Sequence, residues 1–257
     1  MSTDALRPAP AWPEGVDRVV LDRVDSTMAE ALRRAPGLAS PCWIMAHEQT
    51  AGRGRRGRAW TGGQGNFAAT LVMRPEGPPA QAALRSFVAA LALHEALAGL
   101  LGSDRALSLK WPNDVLLNGG KVAGILLESI GAGQGVAHLA VGIGVNLHTA
   151  PPADAVEPRA LRPVALATET GLEIGAETFL SHLAVAFDRQ ERHFATYGFG
   201  PLRAAWLDRA ARLGEVITAR TAREEITGTF ETVDEDGNLV LRSARGREAI
   251  PAADVFF

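Results

Sequence analysis

The sequence predicts an α/β fold followed by a small all-β barrel, and three observations carry that expectation. Apolar residues make up 47% and charged residues 21% of the 257 positions, an ordinary balance for a globular chain large enough to bury a proper core. Up to about residue 213, short strand-like runs alternate with stretches of helical period. From Gly214 onward only short strand-like runs remain, separated by turn residues. The expected division is therefore 1–213 and 214–257.

Taken in order, Arg18 to Val24 alternates as a strand, and Asp25-Ser26-Thr27 then opens a helix. Thr27-x-x-Glu30 forms a capping box, whereas the residue three past Ser26 is Ala29, so Thr27 is the expected N-cap. Met28, Ala31, Leu32 and Ala35 form the inward stripe, and Met28 is accordingly assigned to packing and left out of any site. Ser26 is either a simple cap or a free hydroxyl offered to a ligand near the helix's positive end. Cys42 to Glu48 reads as a buried strand with Cys42 as packing, which places Gln49 at the root of the following loop.

Phe67 to Met73 is strand-like, Pro75 to Pro79 is a turn, and Ala80 to Leu101 is a long alanine- and leucine-rich helix. Leu107 to Lys110 alternates as a short strand, with Ser108 and Lys110 on the face opposite the two leucines. In Trp111-Pro112-Asn113-Asp114 the proline forces an extended residue before it, and Asn-Asp closes turns. Val115 to Leu117 and Val122 to Glu128 make a hairpin across Asn118-Gly119-Gly120, with Lys121 opening its second strand. Val136 to Val145 ends in Gly142-Ile143-Gly144-Val145-Asn146, where glycines inside a strand imply close approach of a ligand or backbone. Ala150 to Pro163 is read as a proline-rich surface connection. Helices follow at Glu177 to Tyr197 and Pro201 to Ala211, then strands at 216–220, 225–233, 239–242 and 248–250.

The densest chemistry lies in Gly52-Arg53-Gly54-Arg55-Arg56-Gly57-Arg58, four arginines in seven residues, followed by Trp60 and a glycine-rich run to Asn66. Guanidinium groups present planar forks to carboxylate or phosphate, and glycines let backbone amides turn inward as a nest. A dinucleotide fingerprint is excluded because no helical period follows the third glycine, and a Walker loop because no Gly-Lys-Ser/Thr follows. A small anionic ligand, a nucleic acid and no ligand at all remain open for this stretch alone. The formal net charge of −3 argues against a protein devoted to duplex DNA. Met1 to Asp17 holds no signal-like apolar run, and Phe87 to Leu93 is too short an apolar stretch to span a bilayer, so a cytoplasmic protein without a membrane partner is expected. The six histidines show no metal-ligand spacing, and one cysteine cannot join them, so no resident metal is expected.

Ser26-Thr27, Gln49, the arginine loop, Trp60, Lys110-Trp-Pro-Asn-Asp114, Lys121-x-x-Gly124-Ile125-Leu126 and Gly142-x-Gly144-x-Asn146, in this order and spacing, resemble the biotin protein ligases from about Arg18 to the C-terminus. The resemblance implies a catalytic domain with a mixed sheet flanked by helices and an SH3-like barrel after it. It implies ATP and biotin as substrates with Mg2+, and a biotinyl-5′-AMP intermediate. A lysine of a biotin carboxyl carrier protein would be the acceptor. It also implies that Ser26, Thr27, Gln49, Gly52, Arg53, Gly54, Arg55, Lys110, Gly124, Gly142 and Gly144 meet biotin. Arg55, Arg58, Trp60, Asn113, Lys121 and Asn146 would meet the nucleotide.

Lys110 is the leading catalytic candidate, bridging carboxylate and α-phosphate, with Arg55 beside it. Lys121 is placed near the phosphates, against the plainer reading of a solvated strand opening, and Trp60 over adenine, against plain burial. The loop from Gly52 to Asn66 is expected to order over the ligands and keep water from the anhydride. Many family members carry asparagine where this chain has Met28, and the C-terminal Ala253-Asp254-Val255 departs from the usual run. About seventeen residues precede the first strand, too few for the DNA-binding domain of the family's repressors, so no DNA partner is expected. A homodimer built along the sheet is implied, although no strand edge identifies where. The rival readings are a lipoate protein ligase, whose loop is typically Arg-Arg-x-Ser/Thr-Gly-Gly-Gly, and a non-catalytic module that binds biotin or nucleic acid.

Overall fold

A computed structural model describes residues 8–60, 63–132 and 135–257. The larger part is a seven-stranded sheet in the order β1-β2-β3-β7-β6-β5-β4. Its strands are β1 (Asp17–Val24), β2 (Cys42–Gln49), β3 (Phe67–Met73), β4 (Leu107–Lys110), β5 (Asp114–Leu117), β6 (Gly120–Ala132) and β7 (Gly135–Val145). Only β1 and β2 run parallel, joined over the crossover helix α1 (Thr27–Arg34), and every other pairing is antiparallel. The sheet is therefore mixed, as expected. The outer edge of β4 is occupied, since Leu109 exchanges backbone hydrogen bonds with Arg209 and Ala211.

The long helix expected from Ala80 breaks at Leu84 into α2 (Pro79–Ala83) and α3 (Arg85–Leu101). Together they are long and apolar enough to cross a membrane by length and composition, contrary to the short stretch read in the sequence. The apolarity serves the core instead, because 72% of the most apolar window is buried inside the protein. A short α4 (Leu166–Thr170), not foreseen, precedes α5 (Ala176–Tyr197) and α6 (Phe199–Leu207). Helix α6 starts earlier and stops sooner than expected, ending at Leu207.

Edge-to-face rings pin these helices to one face of the sheet. Trp43 of β2 meets Phe187 at 5.8 Å, Phe67 of β3 meets Phe179 at 5.0 Å, and Phe87 of α3 meets Trp206 at 5.4 Å. Helix α1 lies with a second, smaller cluster that includes Ile44, Val72 and Ala140. The other face of the central strands is thereby left to form a site.

The C-terminal part is an all-antiparallel sheet in the order β11-β10-β9-β8-β12. Its strands are β8 (Val216–Arg220), β9 (Glu225–Val233), β10 (Leu239–Ser243), β11 (Gly246–Ile250) and β12 (Asp254–Phe256), the last of which the sequence reading had missed. The two parts meet where Trp111 Nε1 donates to the Gly237 carbonyl at 3.0 Å, both buried, and where Arg203 donates to Val233 O at 3.1 Å. Trp111→Phe removes the indole donor and strands that carbonyl away from water. It is expected to lower stability by about 1–3 kcal/mol, read as a fall in the urea midpoint; an unchanged midpoint would show that the bond does not hold the two parts together.

Candidate active site

Strand register builds the floor. Gly142 of β7 pairs with Thr70 of β3 on one side and Leu126 of β6 on the other, while Gly144 pairs with Ala68 and Gly124. Because side chains alternate across a strand, these six positions share one face, and three of them are glycine. They line a cavity of about 640 Å³. Its walls come from α1, the arginine loop, the Lys110 to Asp114 turn, residues 151–163 and β12. The stretch read as a plain surface connection, Ala150 to Pro163, is thus part of the wall, with Pro151, Glu157, Leu161 and Pro163 lining it.

At one end, Thr70 Oγ1 donates to Thr27 Oγ1 at 3.0 Å, and Thr27 donates from both its hydroxyl and its backbone N–H to Gln49 Oε1, at 3.1 and 2.8 Å. The expected cap is corrected here. Ser26 is the N-cap, its extended backbone placing the hydroxyl to accept from Ala29 N at 3.5 Å. Glu30 turns to Arg33 and Arg34 instead of back to Thr27. Two flanking arginines outcompete a neutral amide for that carboxylate. Thr27, released from capping, faces the cavity, and Met28 lines it too, so its exclusion from the site is also corrected.

At the other end, Asp114 lies between two ammonium groups, Lys121 Nζ at 2.6 Å from Oδ1 and Lys110 Nζ at 3.6 Å from Oδ2. The shorter contact, to Lys121, is the closer of the two ion pairs. Burial pushes the Asp114 carboxyl up, but Lys121 and Lys110 outweigh it and hold it below the ordinary range. Burial lowers the Lys110 pKa, opposed by Asp114. The Lys110 side chain is 12% exposed and stands 5.9 Å from the Phe257 ring, whereas that of Lys121 is 32% exposed. Lys121, read as solvated or near the phosphates, therefore carries the more accessible charge in the cavity.

The arginine loop is a small hairpin and not an amide nest. Gly54 N donates to Arg58 O at 2.8 Å and Trp60 N to Gly52 O at 2.9 Å, around a tight turn in which Arg56 has φ 56°. The Gly54 and Trp60 amides are thereby consumed, and the loop's fixed positive charge comes from its side chains. Arg53 and Arg55 line the cavity, and burial lowers the Arg55 pKa. Arg58 lines it as well, but pairs with Asp254 at 2.7 Å and Glu157 at 3.3 Å. Gly54 lines the cavity, whereas Gly52 stands behind it, where a Cβ would come within 2.8 Å of Trp60 O. Thr61 and Gly62 of the expected closing loop lie outside the described residues.

The Trp60 indole lies directly on Gly144 and Gly124, leaving no room for a side chain at Gly144. Asn113 supports more than it offers, donating to Ile125 O at 2.5 Å and accepting from Arg55 Nη1 at 3.3 Å. Asn146 is buried with its amide nitrogen tied to Val164 O at 3.1 Å.

Residues 20–146 match the biotin/lipoate A/B protein ligase family, and residues 213–257 match the biotin protein ligase C-terminal domain. A biotin acetyl-CoA-carboxylase ligase of Paracoccus denitrificans is 59% identical over 93% of this chain and 99% of its own length. The chain belongs to the biotin protein ligase family. A bifunctional ligase/repressor BirA of Bacillus subtilis is 31% identical over 82% of this chain and 65% of its own length. Among solved structures, the biotin protein ligase of Aquifex aeolicus in complex with biotin and ATP superimposes with a TM-score of 0.77 at 25% identity, over 93% of this chain and 98% of that one.

Within the ligase fold, Met28, Thr70, Asp114 and Asp254 line the cavity although the sequence reading assigned them no role there. Thr70 carried a signal, since it stands two residues from Ala68 in a strand whose other face is Ala69 and Leu71. Asp254 carried none, because its partners in the arginine loop lie nearly two hundred residues away. Its Oδ2 accepts from Arg56 at 2.6 Å, Arg58 at 2.7 Å and Arg220 at 3.2 Å. Burial pushes this carboxyl up, yet the Arg58 and Arg220 bonds outweigh it and hold it below the usual value. A folded-state pKa below the unfolded one stabilises above the unfolded pKa of about 4 and loses that contribution as pH falls from there through the lower folded value. Asp254→Asn is therefore expected to cost stability at pH 7, with the gap to wild type narrowing below about pH 4. A gap that urea unfolding finds independent of pH would contradict the arrangement.

Proposed function

We propose that this cavity performs ATP-dependent attachment of biotin to a lysine of a biotin-accepting carboxylase subunit, through biotinyl-5′-AMP. The observation that carries the reading is the division of one floor into a neutral, hydrogen-bonding end at Thr27, Thr70 and Gln49 and a cationic end at Lys110, Lys121 and Arg55. The neutral end suits a urea, with the free Gln49 amide nitrogen and the threonine hydroxyls as partners and Ser26 as support. The strip at Gly142, beyond the Trp60 indole that covers Gly144, lets a flat bicycle lie against backbone.

A carboxylate leaving that strip reaches the cations. There a carboxylate oxygen of biotin attacks the α-phosphorus of ATP, the bond to the β-phosphate oxygen breaks, and pyrophosphate leaves. Two anions must meet for this, and fixed positive groups hold them together as charge builds on phosphorus. Lys121, the more accessible ammonium, meets the reacting oxygens. Lys110, assigned that role from sequence, acts from across Asp114, which fixes the spacing of the two ammonium groups. Arg53 and Arg55 add guanidinium contacts, Trp60 offers adenine a ring face, and Asn113 and Asn146 frame the nucleotide end. In the second step the acceptor lysine amine attacks the acyl carbon, loses its proton, and displaces AMP.

The described residues include no group of three His, Cys, Asp or Glu side chains placed to hold a metal ion, and Asp114 is already bracketed by ammonium groups. The chain does not fit a resident Mg2+; the ion would arrive on the phosphates of ATP, keeping its waters, and no step is assigned to it. The acceptor is proposed to be a biotin carboxyl carrier protein met in the cytoplasm. A second copy of the chain would pair along the free edge of β1, where Val20 is exposed.

Biotin-dependent release of pyrophosphate, then intact mass of an isolated carrier domain, tests the reading; labelling with lipoate and not biotin would overturn it. Lys121→Ala is expected to slow pyrophosphate release about 10²- to 10³-fold, with Lys110→Ala costing less. The reverse order would return the bridging role to Lys110.

A further inference from the structure

Resting on the ligase reading and deepening it, we propose that Met28 determines specificity for the ring system of biotin, its thioether methyl forming the adjustable wall beside Gly142. Met28 is the second residue of α1 and only 6% exposed, packed at its base with Ala31, Cys42, Ile44, Val72 and Ala140. Its tip nevertheless lines the cavity. A Cβ placed on Gly142 would lie 2.8 Å from Met28 Cε and 3.6 Å from Thr70 Oγ1. A glycine, a hydroxyl and a thioether methyl thus converge on one spot of the floor.

The chemistry there is two-sided. Thr27, Thr70 and Gln49 form a linked polar array on one side, and Met28 with Leu126 supplies the apolar side. A fused ureido and thiophane bicycle has the same division, a polar urea edge and an apolar, sulfur-bearing edge. A polarisable thioether with three rotatable bonds fits an irregular apolar contour and a sulfur-bearing ring. A side chain at Gly142 would have to displace that methyl.

The test follows adenylate formation by pyrophosphate release with biotin and with desthiobiotin, which keeps the urea but lacks the sulfur ring. Met28→Leu keeps the core volume and stops one bond short of Gly142. It is expected to raise KM for biotin about tenfold, to raise KM for desthiobiotin less, and to move KM for ATP least. Gly142→Ala is expected to weaken biotin by driving the methyl into the cavity, and Met28→Ala in that background to recover part of the loss, a coupling that general packing damage does not produce. Equal rises for the two vitamins in Met28→Leu, or strictly additive losses in the double variant, would overturn the assignment. Wild-type protein that releases no pyrophosphate with either vitamin would remove the ligase reading and this inference with it, whereas an active wild type with an unchanged Met28→Leu removes the inference alone.

Discussion

The structure depends on three adjacent strands approaching a ligand surface with almost no side chains in the way. Gly124 of β6 pairs with Gly144 of β7, and Gly142 follows on the same face, where most sheets place β-branched residues to gain packing. Glycine there costs backbone entropy and forgoes cross-strand contacts. The opposite face compensates, for it carries Ala69, Leu71, Ala123, Val141 and Val145 against α3 and α5, all nearly or fully inaccessible. One face of these strands is built for stability and the other for a flat ligand. The Trp60 indole resting on Gly144 shows that the surface accepts a planar ring.

Charge around this floor is arranged in clusters in which several cations share one carboxylate. Asp114 is shared by Lys110 and Lys121, and Asp254 by Arg56, Arg58 and Arg220. In both clusters cations outnumber the carboxylate they share. Within a cavity of lowered dielectric that surplus attracts an anion more strongly than separate surface charges would. Asp114 does not cancel the site; it fixes where two ammonium groups stand while leaving net positive charge for carboxylate and phosphate.

Much of this was legible in the chain. Strand assignments succeeded where the period was clean, as at Phe67 to Met73 and Leu107 to Lys110, and the arginine loop, Lys110 and the β7 glycines do line one cavity. The misreadings share a cause. Thr27 was taken as the cap because local spacing favoured it, but Gln49, twenty-two residues on, claims its hydroxyl and Arg33 and Arg34 claim Glu30. Met28 was given to the core because its helical phase points inward, and phase alone cannot say that a long side chain packs at its base and touches the cavity at its tip. The loop glycines suggested free amides, whereas hairpin bonds use the Gly54 amide on Arg58 O and the Gly52 carbonyl on Trp60 N. Competition for a hydrogen bond from a distant element leaves no trace in local spacing.

The second sheet begins at Val216, but the site does not stop where the architecture changes. Asp254, Val255 and Phe256 of β12 line the same cavity as Ser26 and Gly142, and Asp254 anchors two arginines of the loop that faces it. The Trp111 indole, next to Lys110, reaches into the C-terminal part to bond Gly237, so the strand carrying Lys110 and the turn carrying Asp114 are held by the same interface. Loosening that interface would shift both walls of the cavity at once, the arginine wall through Asp254 and the lysine wall through Trp111. A small sheet with no floor residue of its own thereby sets the distance between the two groups of cations, which is the quantity on which bringing two anions together depends.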